Sequence, residues 1–151
     1  MNVVFLDRDG TIIVEPPDEQ IDSLEKLELI PGVIEGLRLL RDRGFELVLV
    51  TNQDGLGTDQ FPQASFDVPQ KKLLGILQGE GITFSHIFIC PHTPADQCSC
   101  RKPKTGLVAD YLKEKLPDLQ RTFVIGDRET DVQFGKNIGC KTIRLGNSQE
   151  S

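Results

Sequence analysis

Five short apolar runs punctuate the chain: Val3–Leu6, Glu46–Thr51, His86–Cys90, Thr122–Gly126 and Lys141–Leu145. Several are apolar at successive positions rather than at alternate ones, the pattern of strands covered on both faces. Between them the spacing of apolar positions lengthens to that of amphipathic helices. Val33, Ile34, Leu37 and Leu40 fall on one face between Pro31, suited to open a helix, and Gly44, suited to close it. Leu73, Leu74 and Leu77 follow Asp67, the expected N-cap of a second helix that glycines end. Leu107, Val108, Tyr111 and Leu112 share a side of a third, and a short fourth ends at Gly139. This alternation predicts an α/β fold, a doubly wound parallel sheet with helices on both faces. Two stretches resist regular assignment, 12–30 and the loop over about 90–104. Both adjoin strand C-termini, the edge at which open α/β sheets bind ligands.

At 151 residues, with 38% apolar and 26% charged residues, the chain reads as one soluble domain over 1–151. A net charge of -6 argues against a non-specific hold on nucleic acid or an anionic membrane and favours a small soluble partner. The N-terminal apolar run is too short for a secretory or membrane segment, so a cytoplasmic location is expected. Three of the four cysteines crowd into "CPHTPADQCSC" together with one of the two histidines. Such spacing suits metal thiolates in a reducing compartment better than a disulfide framework. Cys140 reads as a small buried hydrophobe.

The first strand runs into "DRDGT", bringing Asp7 and Asp9 to the sheet's C-terminal edge, and the fourth into "GDRETD", bringing Asp127 and Asp131. Four carboxylates meeting there repel one another unless a cation sits among them, and oxygen ligands with a phosphate describe magnesium. Thr51 and Asn52 of "TNQ" and Lys102 of "CRKPK" supply donors for phosphate oxygens. A carboxylate attacking a phosphate dianion needs that neutralisation. Taken singly, each of these residues is as readily a cap, a turn residue or a solvated charge.

The ordered set "FLDRDGT", "VTNQ", "RKP" and "IGDRETD" resembles the four motifs of the haloacid dehalogenase (HAD) superfamily of phosphohydrolases, from Val3 to about Leu145. The resemblance implies a HAD-like, Rossmannoid sheet. "TNQDGLGT", "FPQASFD", "CPHTPAD" and "CRKPK" narrow it to the histidinol-phosphate phosphatase family, which is often fused to an imidazoleglycerol-phosphate dehydratase domain. By that resemblance Asp7 is the nucleophile and Asp9 the general acid and base. Magnesium takes the Asp7 side chain, the Asp9 backbone carbonyl and the Asp127 carboxylate, with Asp131 one layer out. Thr51, Asn52 and Lys102 bind the phosphoryl group. Cys90, His92, Cys98 and Cys100 form a four-ligand set that suits tetrahedral zinc and leaves no coordination site for water, the mark of a structural site. The alternative for these four is an unligated loop.

The implied substrate, histidinol phosphate, carries an ammonium and an imidazole, so an acidic rim is expected, with Glu15, Asp18 and Asp54 as candidates. Val68 and Gln70 depart from the glycine and histidine expected of the family, and a substrate contact at position 70 would alter specificity. The nearest rival reading is a heptose 1,7-bisphosphate phosphatase, against which "TNQDG" in place of "TNQSG" weighs. A polynucleotide 3'-phosphatase lacks its basic groove here. A catalytically silent zinc scaffold is the reading from another class.

Overall fold

The computed structural model describes residues 1–146. Five parallel strands, β1 (Val3–Leu6), β2 (Glu46–Asn52), β3 (His86–Cys90), β4 (Phe123–Gly126) and β5 (Lys141–Arg144), form one sheet in the order β3-β2-β1-β4-β5. Four helices alternate with them: α1 (Val33–Asp42), α2 (Gln63–Gly79), α3 (Ala109–Lys115) and α4 (Glu129–Ile138). The chain winds outward from β1 to β3, then returns to place β4 on the other side of β1. The strand order therefore reverses between β1 and β4, and a crevice opens there beyond their C-terminal ends.

The apolar runs divide cleanly by parity. Val4 and Leu6 of β1 and Leu47 and Leu49 of β2 turn to one layer, which Leu37 of α1 and Leu73 and Leu77 of α2 complete. Val3 and Phe5 of β1 and Val48 and Val50 of β2 turn to the other, closed by Tyr111 of α3 and Phe134 of α4. Phe5 meets both aromatic rings edge-on, at centroid distances of 5.9 and 6.3 Å. Each such aliphatic or aromatic side chain contributes roughly 1.5–3 kcal/mol on leaving water. A sheet covered twice needs strands with no polar face, which is why the runs lack alternation.

Two local expectations change. Asp67 is not an N-cap: α2 begins at Gln63, capped by Pro62, and Asp67 lies inside it, accepting from Gln63 Nε2 at 2.9 Å. Pro69 is thus interior to the helix, where a sequence pattern would place the first turn. Phe66, Pro69, Gln70, Leu73 and Leu77 form the buried stripe of this longer helix. Pro31 also stands two residues ahead of α1, whose N-cap is Gly32. The 12–30 segment is a strap folded back on itself, with Val14 N donating to Glu28 O at 2.7 Å and Ile30 N to Ile12 O at 3.0 Å. Ile12, Ile13 and Ile21 anchor it in the first layer.

Candidate active site

Asp7 is the first residue beyond β1 and Asp127 the first beyond β4, so the reversal of strand order sets them side by side. Carboxylate oxygens of Asp7, Asp127 and Asp131 all lie within 4.8 Å of one another. Lys102 enters from the loop after β3 and is buried. Its ammonium donates to Asp7 Oδ1 at 2.9 Å, Asp131 Oδ1 at 2.8 Å and Val50 O at 2.7 Å. Burial alone would lower its pKa, but the Asp7 and Asp131 carboxylates outweigh that and raise it, so Lys102 stays an ammonium. Asp131 Oδ2 accepts from Arg128 N at 3.2 Å at the start of α4.

The carboxylates are not fully balanced by one lysine. Burial pushes Asp7 up to about 7, against the pull of Lys102. Asp127 is likewise raised, by burial first and by Asp131 next, and its Oδ1 is buried without a hydrogen-bond partner. An oxygen taken from water and given nothing in return is costly unless a ligand completes it. Two glycines permit the close approach. A Cβ on Gly10, whose φ is +84°, would stand 2.0 Å from Asp127 Oδ2, and one on Gly126 would stand 2.2 Å from the Asp131 carboxyl.

Asp9 turns away from this trio. Its Oδ1 accepts from Arg8 Nε at 2.7 Å and its Oδ2 from Gln53 Nε2 at 3.2 Å. Arg8 is fully buried, its guanidinium lying 4.8 Å from the Phe66 ring centroid and donating also to Gln70 Oε1 at 2.9 Å. Gln70 faces inward from α2 and meets the guanidinium rather than the cleft. Val68 lies on the outer side of the same helix, 53% exposed. Thr51 is buried beneath the site, its hydroxyl accepting from Gln53 Nε2 at 2.9 Å. Asn52 is held by Lys102's own backbone: its Oδ1 accepts from Lys102 N at 3.1 Å and its Nδ2 donates to Lys102 O at 3.3 Å. Among the described residues this side chain fixes the lysine's peptide, a task its place in "TNQ" did not reveal.

A cleft of about 340 Å³ opens over these groups, and eight carboxylates line it against three cations, Arg101, Lys102 and Arg128. Glu15, Asp18 and Asp54 are all on its wall, but each has a partner. Glu15 pairs with Arg128, Asp18 with Lys26 at 2.6 Å, and Asp54 with Arg101 at 2.9 Å. The sequence reading missed Arg101 and Arg128, which sit beside residues it did select in "CRKPK" and "GDRETD".

Beyond β3 the chain folds Cys90, His92, Cys98 and Cys100 into one knot, with a sulfur or ring nitrogen of each within 4.8 Å of all the others. All four cysteines of the chain are free thiols. Burial and the contact with Cys100 drive Cys90 up to about 12; Cys98 is pulled down to about 6 because backbone N–H groups of Cys100 and Arg101 overcome its burial. Lys104 Nζ ties the knot's base by donating to Cys98 O at 2.7 Å. Lys102 follows Cys100 by two residues.

A buried lysine joined to two carboxylates, a third carboxylate oxygen without a hydrogen-bond partner and a crevice at the strand-order reversal make up a candidate site for an anionic ligand with a cation. Comparison with known proteins agrees in class. Residues 99–149 match the HAD-hydrolase-like family. D,D-heptose 1,7-bisphosphate phosphatase from B. bronchiseptica, solved with magnesium and phosphate, superposes with a TM-score of 0.88 and 30% identity over 99% of this chain and 84% of that one. The histidine biosynthesis bifunctional protein HisB of Blochmanniella floridana is 52% identical over 143 residues, 94% of this chain and 40% of that protein. Its counterpart in Actinobacillus pleuropneumoniae is 53% identical over 142 residues, 93% of this chain and 39% of that protein. The chain thus spans about two-fifths of the length of these bifunctional relatives. The chain belongs to the HAD-like hydrolases.

Proposed function

We propose that the chain is a magnesium-dependent phosphomonoesterase that hydrolyses histidinol phosphate through an aspartyl-phosphate on Asp7. The observation that carries this is the joining of Asp7, Lys102 and Asp131 beside an Asp127 oxygen that lacks any partner. Asp7 and Asp127 would hold magnesium with the Asp9 backbone carbonyl, and the donor chemistry fits a hard cation. Bound there, the ion neutralises carboxylate and phosphoryl charge together.

Asp7 attacks phosphorus as the ester P–O bond breaks, and Asp9 passes its proton to the leaving alkoxide. Water then attacks the phosphorus while Asp9 takes one of its protons. The bond from phosphorus to Asp7 breaks, releasing inorganic phosphate and restoring both carboxyl groups. Lys102 holds the Asp7 carboxylate in line and quenches phosphoryl charge. Thr51 and the backbone N–H groups at the end of β2 receive phosphoryl oxygens, while Asn52 acts by clamping the Lys102 peptide.

The cleft wall supports the substrate. Its excess of carboxylates complements an ammonium and an imidazole and repels a second phosphate, which weighs against the heptose bisphosphate reading suggested by the structural relative. The names of the curated relatives support a histidine-biosynthesis setting. Association with an imidazoleglycerol-phosphate dehydratase unit and a cytoplasmic location belong to the same reading. Among the described residues no helix is long and apolar enough to cross a membrane. Cys90, His92, Cys98 and Cys100 would hold a structural zinc ion that shapes the loop carrying Arg101 and Lys102.

The direct test compares histidinol phosphate, heptose 1,7-bisphosphate and a 3'-phosphorylated oligonucleotide side by side, with magnesium and with EDTA. Histidinol phosphate should give the highest kcat/KM, and EDTA should remove all turnover. A preference for the heptose ester would transfer the assignment to that substrate, and metal-independent turnover would reject the mechanism.

A further inference from the structure

The mechanism above leaves one fully buried cation unused. Arg8 stands between the two functional aspartates, on the face of the strand end opposite Asp7, and its guanidinium is 0% exposed. Each of its three nitrogens donates to a side chain of this protein. Nε meets Asp9 Oδ1 at 2.7 Å, Nη1 meets Gln70 Oε1 at 2.9 Å and Nη2 meets Gln53 Oε1 at 3.3 Å, while the plane rests on Phe66. Gln70 and Phe66 both belong to α2, so this helix holds the arginine from two sides. The fork geometry of a guanidinium fixes all three bonds at once, which a lysine could not do.

From this we infer that Arg8, aligned by Gln70, is a positioning residue that sets the Asp9 carboxyl for proton transfer to the leaving group. The inference rests on the reading of Asp9 as general acid and base. The shorter, charge-assisted bond pins Asp9 Oδ1. Oδ2 keeps only the longer bond from Gln53, whose Nε2 has a closer acceptor in Thr51 Oγ1 at 2.9 Å. Oδ2 is thereby the oxygen left to gain and lose the proton. Gln70 is neutral, so Arg8 has Asp9 as its sole charged partner among the described residues. An acceptor at position 70 keeps the arginine turned toward Asp9; a side chain without one releases it.

Leaving-group dependence separates this role from a merely structural one. A nitrophenolate departs without a proton, whereas an alkoxide needs one, and kcat/KM reports the first phosphoryl transfer alone. Gln70→Met keeps length and volume but loses the acceptor; Gln70→Glu keeps the acceptor; Arg8→Lys keeps charge but loses the fork. On histidinol phosphate, Gln70→Met and Arg8→Lys should lose roughly tenfold in kcat/KM, a part of the ~10²–10⁴ supplied by a positioned general acid, and should stay within about twofold on 4-nitrophenyl phosphate. Gln70→Glu should restore the alkyl ester rate. Because the ratio of the two rates comes from one preparation, partial unfolding cancels. Equal losses on both esters, or none, in Gln70→Met and Arg8→Lys overturn the inference if Asp9→Asn still discriminates between the esters. If Asp9→Asn itself fails to discriminate, the general-acid assignment falls, and the role of Arg8 falls with it.

Discussion

In the proposed mechanism Asp7 is the reactive group, and its burial makes it a source of instability as well. Its carboxyl titrates near 7 in the cation-free protein, raised from 3.8 chiefly by burial. A folded-state pKa above the unfolded one means that this group favours the fold below about pH 3.8 and that the benefit is lost as pH rises through about 7. The cation-free protein should therefore melt at progressively lower temperature as pH rises across that window, by calorimetry. Asp7→Asn should abolish turnover yet raise the cation-free melting temperature at pH 8, with little gain at low pH. Magnesium held by Asp7 as proposed would compete with the same proton, so its affinity should strengthen between pH 6 and pH 8 with proton release visible by titration calorimetry; affinity independent of pH would place the cation elsewhere. Gly10 belongs to the same scale. A methyl there both strains a left-handed backbone and strikes the Asp127 carboxylate, so Gly10→Ala should lose magnesium binding and activity together.

At the scale of elements, β1 and β4 deliver the carboxylates, and two insertions arm the rim. The first is the strap between β1 and α1, held over the cleft by Glu15 and Glu19 against Arg128. The second is the Cys/His knot after β3, which ends in the lysine that touches Asp7. Cys98→Ala should release the proposed zinc, one per chain by elemental analysis, and reduce kcat well before the sheet melts, because all four proposed ligands lie in that one loop. A protein that contains less than one zinc per chain as isolated would defeat the structural-metal reading. Helix α2 ties the first layer to Asp9 through Gln70 and Arg8. Truncating Arg8→Ala leaves Asp9 a buried carboxylate without its cation, at an expected cost of about 3–5 kcal/mol in denaturant unfolding.

For the whole molecule, charge is unevenly spread: the chain carries -6, and carboxylates outnumber cations on the cleft wall. Attraction of that wall for a cationic ester is screened by salt over a Debye length of about 8 Å at physiological ionic strength. The preference for histidinol phosphate over a neutral alkyl phosphate of similar size should therefore narrow as sodium chloride is raised, chiefly through KM. A preference insensitive to salt would assign specificity to shape or hydrogen bonding. The rim is less bare than its acidic residues alone suggest, since Arg101, Arg128 and Lys26 each neutralise a carboxylate there. In the proposed function, magnesium and the substrate amine meet what remains.

The runs of Val3–Leu6 and Glu46–Asn52 determined the parallel, twice-covered sheet without help, because only strands buried on both faces lack a polar side. The aspartates of "DRDG" and "GDRETD" and the Cys/His spacing were equally legible, since their chemistry depends on residue type at a strand end or within one loop. Tertiary structure decided the rest. That Asn52 clamps the Lys102 peptide and that Gln70 meets a guanidinium depends on which distant segment lies against each, and no local pattern records that. The start of α2 belongs with them: Pro69 signals a first turn locally, but burial of Phe66 against Phe61 and Arg8 extends the helix past it. Periodicity reports which side chains leave water, whereas a hydrogen bond across 62 residues reports where the chain returns.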